Sequence, residues 1–337
     1  MIEKSPDSKL DDYRYDAKLF KQAYTAGLKL KEIEKEQEKK RKLYILGGIL
    51  LTVSLILLTV FLIRSPLFKS KSYVEAKEIN KQFVTVNRDT LPSPVSHFDS
   101  YDQSFVQAKA ALYADLNTGH IYYAKNIDEE VYIASLSKLM TALVALNKYE
   151  LNQEVVVNQD WFAQENMSWS IGLDKGDTTK IETLLNAMLI SSYNDASFAL
   201  ADSMEGGWES FVEDMNTYSK TLGLENTEFF NPSGLDDYGA NISTARDLYR
   251  LATVVYRNEF IMDTISKGYI KLEWDIGEED VYTTDVLLNQ YGIVGGKTGQ
   301  TEKAGGCFLS ITNDGNMTLI LGSENRFDET VKLLTEL

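Results

Sequence analysis

The stretch from Ile133 to Lys148 reads IASLSKLMTALVALNK and contains the pattern S-x-x-K at Ser135 and Lys138. Its apolar residues recur at helical spacing, which predicts a helix from Ser135 to about Tyr149. Side chains three residues apart share one face of a helix, and the helix N-terminus favours developing negative charge on the serine. A partly buried lysine can lose its proton near neutral pH and act as a base. S-x-x-K alone is a weak signal, because a capped helix with a surface lysine has the same pattern.

Two further polar motifs follow along the chain. The S-x-N motif from Ser192 to Asn194 comes after the apolar run LLNAMLIS, inside a region predicted to be helical from 180 to 204. The K-T-G motif from Lys297 to Gly299 lies in IVGGKTGQTEKAGGCFLS, a glycine-rich strand pattern that lets a substrate backbone approach closely. Each motif is also compatible with an ordinary polar loop, so the order of all three is what indicates a site.

Other kinds of catalytic site fit the sequence poorly. A phosphate-binding loop needs four residues between its glycines, whereas three separate Gly292 from Gly296. A Ser-His-Asp triad would need His97, in a predicted stalk, or His120, next to a predicted hairpin turn. A zinc peptidase is excluded because the sequence has no H-E-x-x-H motif.

The composition limits the class of protein. The chain has 337 residues, of which 44% are hydrophobic, enough for a large folded domain with appendages. Its formal net charge of −16 argues against nucleic acid as a general partner, because phosphate binding needs a basic surface. Cys307 is the single cysteine, so a multi-thiolate zinc site is impossible. We expect neither a metal ion nor another cofactor.

A long apolar segment lies near the N-terminus. Residues 43–63 contain 21 residues without a charged side chain. A helix of this length covers roughly 30 Å, the thickness of the bilayer hydrocarbon core. The basic block at 39–42 predicts that the N-terminus is cytoplasmic and the C-terminal part extracellular. We predict a charged cytoplasmic tail at 1–42, a transmembrane signal anchor at 43–63, an extracellular stalk at 64–103 and a globular domain at 104–337.

Strand patterns occur at both ends of the predicted globular domain. AKAALYADLN, the pair Thr118-Gly119 and HIYYAKN predict a β-hairpin. GGCFLSITNDGNMTLILGS predicts two strands joined by a turn at 313–316, followed by a helix from about Asp328. A further helix is predicted at 207–222. Strands at both ends with helices between them indicate an α/β domain whose sheet pairs N-terminal with C-terminal strands.

The order S-x-x-K, S-x-N, K-T-G resembles the signature of penicillin-binding proteins and serine β-lactamases. The sequence around these motifs resembles the low-molecular-mass serine D-alanyl-D-alanine carboxypeptidases over roughly residues 105–337. The stretches that carry this resemblance include LISSYNDASFALAD, LGLENTEFFNPSGLDD and GGKTGQTEKAGGCF. The resemblance implies a penicillin-binding-protein/β-lactamase-like α/β fold, an antiparallel sheet with helices plus a helical subdomain. A single transmembrane helix precedes it in our prediction. Many members of this family continue into a small β domain and an amphipathic helix, and we expect the span at 43–63 to replace that anchor.

The resemblance also implies roles for individual residues. Ser135 would be the acylated nucleophile, Lys138 its general base, and Ser192 a proton relay to the departing D-alanine. Substrate contacts are implied for Asn194, Lys297, Thr298, Gly299, Gln300 and Arg326. Asn194 would bind the stem-peptide amide and Thr298 the substrate carboxylate, while the backbone N–H groups of Ser135 and Gln300 would form the oxyanion hole. Gln300 stands where many members have histidine, which puts substrate preference or pH response in doubt.

The function implied is removal of the terminal D-Ala from peptidoglycan stem pentapeptides outside the cell membrane, with β-lactam antibiotics as covalent inhibitors. Three alternatives stay open. A class A-like β-lactamase would need a deacylating glutamate, for which Glu228 in E-x-x-N is the candidate. A non-enzymatic sensor or scaffold would bind β-lactams or peptidoglycan, and an endopeptidase or transpeptidase would share the acyl-enzyme.

Overall fold

The computed structural model describes residues 102–164, 167–275 and 277–337. The predicted tail at 1–42, the span at 43–63 and almost all of the stalk therefore lie outside the described residues. Within the described part of the chain, no helix combines the length and the apolar character needed to cross a membrane.

The described residues form a mixed α/β structure with eleven strands and seven α-helices. The strands are β1 (Ala110–Asp115), β2 (Ile121–Lys125), β3 (Val131–Tyr132), β4 (Glu154–Val156), β5 (Thr178–Lys180), β6 (Ile242–Ser243), β7 (Tyr269–Trp274), β8 (Gly277–Tyr282), β9 (Ile293–Thr301), β10 (Gly305–Thr312) and β11 (Asn316–Ser323). The helices are α1 (Lys138–Lys148), α2 (Ile181–Ile190), α3 (Asn194–Asp202), α4 (Gly207–Leu222), α5 (Ala245–Tyr256), α6 (Glu259–Ile265) and α7 (Arg326–Glu336).

The central sheet has five antiparallel strands in the order β2-β1-β11-β10-β9. The N-terminal strand β1 pairs with the C-terminal strand β11, with Ala110 opposite Leu321. The predicted hairpin is β1 and β2, and its turn contains Gly119 at a φ of 79°. The predicted pairing of strands from the two ends of the domain is therefore confirmed.

Alternate residues of β11 enter two different cores. Leu319 and Leu321 pack with the helices α1 to α6, whereas Ile320 packs with Leu333 of α7 on the other face. Successive side chains of a strand point to opposite faces, so a strand covered on both sides is buried without alternation, as in the run MTLIL. The sheet therefore lies between α7 and the helical part of the domain.

Helix α1 runs through the middle of the helical part. Every residue from Lys138 to Ala145 is buried, and α2, α3 and α4 pack around this helix. Because α1 is enclosed on all sides, the lysine in its first turn is removed from solvent.

Two predicted helices differ from the observed ones. The region 180–204 is not one helix, because it breaks at residues 191–193 into α2 and α3, and Ser192 adopts a left-handed φ of 63°. Tertiary contacts replace the helical hydrogen bonds there, since the carbonyl of Ile190 accepts from the backbone nitrogen of Thr284 and the backbone nitrogen of Asn194 donates to the carbonyl of Trp169. The first helix begins with a 3₁₀ turn at Ala134–Ser137 before α1.

Candidate active site

The first part of the site is the start of α1. Ser135 lies on the 3₁₀ turn Ala134–Ser137, directly before Lys138. The Nζ atom of Lys138 lies 2.9 Å from Ser135 Oγ, 2.7 Å from Asn194 Oδ1 and 2.6 Å from the carbonyl oxygen of Ser233. Burial and then the charge of Lys297 lower the pKa of Lys138 well below its ordinary value. A lysine in this position can exchange a proton with the serine hydroxyl.

The second part of the site joins the S-x-N turn to strand β9. Lys297 Nζ lies 2.8 Å from Ser192 Oγ and 3.0 Å from the carbonyl oxygen of Thr298. The hydroxyl oxygens of Thr298 and Thr284 are 2.5 Å apart. Ser192 is thus hydrogen-bonded to a buried ammonium or amine group, an arrangement that can pass a proton between serine and lysine.

The two buried lysines oppose each other's charge. Burial and then the charge of Arg326 lower the pKa of Lys297 to about 7, while the carboxylate of Asp285 acts in the opposite direction. Since Lys297 also lowers the pKa of Lys138, a proton on one lysine disfavours a proton on the other. The site can therefore hold one neutral amine beside Ser135 and one cation beside Ser192.

Two glycines allow backbones to approach the turn that carries Ser135. A Cβ atom on Gly299 would lie 2.9 Å from the backbone nitrogen of Ser135, and one on Gly234 would lie 2.0 Å from the carbonyl oxygen of Ala134. Gly234 also has a φ of 88°. The K-T-G strand therefore packs directly against the backbone N–H of Ser135, one residue before Gln300.

Arg326 lies beside the C-terminal end of strand β9. Its Nη1 atom donates to Gln300 Oε1 over 2.7 Å. The structure thus brings together every predicted site residue, namely Ser135, Lys138, Ser192, Asn194, Lys297, Thr298, Gly299, Gln300 and Arg326. Their roles in catalysis and binding remain predictions.

Four groups at the site were not predicted from the sequence. The carbonyl of Ser233 accepts from Lys138, and the carbonyl of Ser168 accepts from Asn194 Nδ2 over 2.6 Å. The carboxylates of Asp195 and Asp285 are buried. Backbone carbonyls leave no residue-type signal, and an isolated aspartate becomes informative only when its burial is known.

The residues proposed for rival chemistries lie elsewhere. Glu228 is exposed, and its backbone pairs with Ile242. Its side chain is therefore not among the groups that contact Lys138. His120 is exposed and packs against Tyr122 on the β1–β2 hairpin, while His97 lies outside the described residues. These positions favour lysine over histidine as the proton acceptor.

Replacing Asp285 with asparagine is expected to change how stability depends on pH. Burial raises the pKa of Asp285 from 3.8 to about 6, and its Oδ2 atom has no hydrogen-bond partner. Because the folded pKa exceeds the unfolded one, the wild-type protein loses stability as pH rises from about 4 to about 6, on the order of 3 kcal/mol. Asp285→Asn should remove this loss, as measured by urea unfolding at pH 4 and pH 7.

The exposed Asp237 offers a matched control for that experiment. Asp237→Asn should leave the difference in unfolding free energy between pH 4 and pH 7 nearly unchanged. An equal response of both variants would show that burial of Asp285 does not control its ionisation.

Comparison with known sequences gives one family. A family model described as D-alanyl-D-alanine carboxypeptidase matches residues 98–324. The D-alanyl-D-alanine carboxypeptidase DacF of Bacillus subtilis (strain 168) is 33% identical over 219 residues, which cover 64% of this chain and 56% of that protein. The chain thus spans little more than half the length of this curated relative.

Solved structures show the same fold. Penicillin-binding protein D2 of Listeria monocytogenes, in its ampicillin-bound form, is 30% identical with a TM-score of 0.60, covering 71% of this chain and 98% of that one. The Streptomyces K15 DD-transpeptidase is 28% identical with a TM-score of 0.62, covering 68% and 96%. The predicted α/β penicillin-binding-protein-like fold is therefore confirmed.

Proposed function

The chain belongs to the D-alanyl-D-alanine carboxypeptidase family, and from that premise we propose that it removes the terminal D-Ala of peptidoglycan stem peptides through an acyl-enzyme at Ser135. The observation that carries this proposal is the contact between a fully buried lysine, Lys138, and the Ser135 hydroxyl at 2.9 Å. A neutral amine in that position is a general base that needs no histidine.

In the acylation step, Lys138 takes the proton of Ser135 while Oγ attacks the carbonyl carbon between the two terminal D-alanines. The negative charge that develops on the carbonyl oxygen is stabilised by the backbone N–H groups of Ser135 and Gln300, each donor contributing about 3 kcal/mol. When the C–N bond breaks, the leaving amine takes a proton from Ser192, which is replenished from Lys297. Free D-alanine leaves, and the remaining peptide is an ester of Ser135. Exchange with water then moves the proton held by Lys138 to Lys297, so that Lys138 is again a neutral amine and Lys297 again a cation.

In the deacylation step, water attacks the ester, and Lys138 accepts its proton. The ester C–O bond breaks, the proton returns to Ser135 Oγ, and the shortened peptide leaves. The substrate carboxylate is held by Lys297 and Thr298, with Arg326 adding positive charge at the end of β9. Asn194 contacts the stem-peptide amide.

The direct test measures free D-alanine after incubation of the purified full chain with a stem pentapeptide ending in D-Ala-D-Ala. We expect one D-alanine per peptide cleaved, and no release from a matched peptide ending in D-Ala-L-Ala. A protein that binds β-lactams but releases no D-alanine would be the sensor or scaffold considered above.

Acylation by a carboxylate-bearing β-lactam is expected to slow above pH 7. The pKa of Lys297 is about 7, so this side chain loses its positive charge as pH rises, and the carboxylate loses its partner. The second-order rate constant should fall by about tenfold for each pH unit above 7. Mass spectrometry of the adduct over time at several pH values gives this rate.

The methyl ester of the same β-lactam is the control for that pH profile. It has no carboxylate for Lys297 to bind, so its acylation rate should fall less steeply above pH 7 than that of the acid, because only the proton relay through Ser192 then loses the Lys297 proton. Parallel falling limbs for the acid and the ester would contradict the proposed role of Lys297.

A second candidate function is transfer of the acyl group to an amine. The similarity to the Streptomyces DD-transpeptidase favours this candidate, since an amine can attack the same ester that water attacks. Adding glycylglycine to the D-alanine assay should give a longer peptide product if the site accepts amines. Unchanged hydrolysis products at high glycylglycine would leave water as the only acceptor.

We also propose that the protein is anchored in the cell membrane through residues 43–63, with its catalytic domain (residues 104–337) outside the cell. The support is a segment of 21 uncharged residues preceded by the basic block at 39–42. The protein should stay with membranes after extraction at alkaline pH, and protease added to spheroplasts should digest the catalytic domain. Release at alkaline pH would contradict the anchor.

A further inference from the structure

Three side chains outside the proposed catalytic contacts lie in or near the S-x-N turn, of which Tyr193 is the middle residue. The rings of Trp169 and Tyr193 stack with centroids 6.3 Å apart and planes 28° apart. The Trp169 side chain is 48% exposed although it is a large apolar group. Burial raises the pKa of Tyr193, and the negative charge of Glu279 raises it further. An exposed aromatic surface therefore lies at the S-x-N turn, within the electrostatic influence of Glu279.

The structure holds Trp169 in this exposed position. Its Nε1 donates to the carbonyl of Ser191 over 2.5 Å, and its own carbonyl accepts from the backbone nitrogen of Asn194 over 3.0 Å. Its φ of 55° is left-handed, a conformation that is strained for a non-glycine residue. The buried carboxylate of Asp195 fixes the following loop by accepting from the backbone nitrogens of Ile171 and Gly172.

Hydrogen bonds also connect the backbone of Trp169 to the lysine beside the nucleophile. Asn194 accepts a hydrogen bond from Lys138, which in turn contacts Ser135. Asn194 therefore links the backbone of Trp169 to Lys138. A ligand attached to Ser135 through its acyl group therefore has its next residues within reach of this aromatic surface.

Glu279 is a half-buried carboxylate on strand β8. It has neither a hydrogen-bond partner nor a salt-bridge partner for its carboxylate among the residues that the structure describes. Its cross-strand neighbour Leu272 is buried, so Glu279 points to the inner side of the β7–β8 hairpin. The hydrogen bond from Ser191 to Tyr282 ties that hairpin to the S-x-N turn. A partly desolvated and unpaired carboxylate favours a cationic partner.

We propose that Trp169, Tyr193 and Glu279 form a subsite for a flexible alkyl side chain that ends in an ammonium group. The rings cover the methylene groups and attract the cation through their faces, and the carboxylate pairs with the ammonium. The inference rests on the proposed carboxypeptidase function, because the ligand is the stem peptide. Asn194, the proposed contact for its amide, directly follows Tyr193, so the subsite takes the residue before the two terminal D-alanines.

The test compares two tripeptides with the full chain at pH 7.5. One is Nα-acetyl-lysyl-D-Ala-D-Ala, and the other carries an additional acetyl group on the lysine Nε atom, which removes the charge. We expect kcat/KM for D-alanine release to be about tenfold higher for the charged peptide. In Glu279→Gln this preference should fall to within about twofold, mainly through loss of rate with the charged peptide.

Glu278→Gln is the matched control, because Glu278 is exposed on the opposite side of the same strand and pairs with Lys271 over 2.8 Å. This variant should keep the tenfold preference. Trp169→Ala should lower kcat/KM for both peptides, because the methylene groups of both lose the indole.

The possible results separate this inference from the proposed function. Equal kcat/KM for the two peptides in wild type, or an unchanged preference in Glu279→Gln, would overturn the subsite and leave the carboxypeptidase activity standing. If neither peptide releases D-alanine, the proposed function fails, and the subsite is then judged from the two peptides as competitors of benzylpenicillin acylation. Stronger competition by the charged peptide that disappears in Glu279→Gln would support the subsite, and equal competition would overturn it.

Discussion

Lys138→Ala is expected to slow acylation of Ser135 by about 10² to 10⁴, the usual contribution of a general base. Lys138 Nζ lies 2.9 Å from Ser135 Oγ, and burial lowers the pKa of Lys138 well below its ordinary value, which favours the neutral amine. The Nζ atom of Lys297 instead donates to Ser192 Oγ and to the carbonyl oxygen of Thr298. Pre-steady-state measurement of acylation by benzylpenicillin gives the rate for each variant.

Two further variants make the result for Lys138 interpretable. Lys138→Met fills the buried space with an unbranched apolar side chain, so a similar loss of rate with near-native thermal unfolding separates lost chemistry from lost folding. Lys297→Ala should weaken binding of a ligand with a free carboxylate and have a much smaller effect on its amide or ester. Near wild-type acylation by a folded Lys138→Met protein would refute the mechanism even though the family stands.

Ser135→Ala is expected to abolish the covalent penicillin adduct completely. Intact-mass spectrometry of wild type after incubation with benzylpenicillin should show one adduct, because Ser135 is the one serine whose hydroxyl contacts Lys138 among the described residues. Ser137→Ala is the matched control, since Ser137 belongs to the same turn but donates to the carbonyl of Ala134. This variant should still form the adduct, and an adduct that survives in Ser135→Ala would place the nucleophile elsewhere.

The lifetime of that adduct distinguishes the proposed function from a β-lactamase. The exposed side chain of Glu228 is not in contact with Lys138, so no glutamate at this position activates the deacylating water. Wild type should therefore consume a chromogenic cephalosporin roughly stoichiometrically. Rapid turnover that Glu228→Gln abolishes would assign the protein to the β-lactamases.

Much of the fold and site could be predicted from the residues alone. The hairpin β1–β2, the strands β10 and β11 and the helix α4 follow from apolar periodicity and turn residues, which are local signals. The three motifs identify the side chains that meet around Ser135, because each motif carries a reactive group at a fixed spacing. Their order along the chain carried more information than any one of them.

What could not be predicted depends on contacts between distant segments. The break between α2 and α3 is invisible because LLNAMLISSYNDASFALAD keeps a helical apolar pattern through residues 191–193. Only the packing against the β7–β8 hairpin and the loop around Trp169 makes a left-handed Ser192 favourable. The carbonyl of Ser233 and the buried state of Asp285 are likewise set by tertiary packing, which residue types do not reveal.

The order of strands in the central sheet also has a consequence for synthesis on the ribosome. Strand β1 is made early, but its partner β11 follows more than 200 residues later, as the pair Ala110 and Leu321 shows. Until β11 emerges, one edge of the nascent β1–β2 hairpin has no strand to pair with, and unpaired edges promote aggregation. Such distant pairings also make folding slow. The newly made chain is therefore most prone to aggregation before β11 has paired and the strand that carries Lys297 is fixed in place. Chaperones would be most needed during that interval.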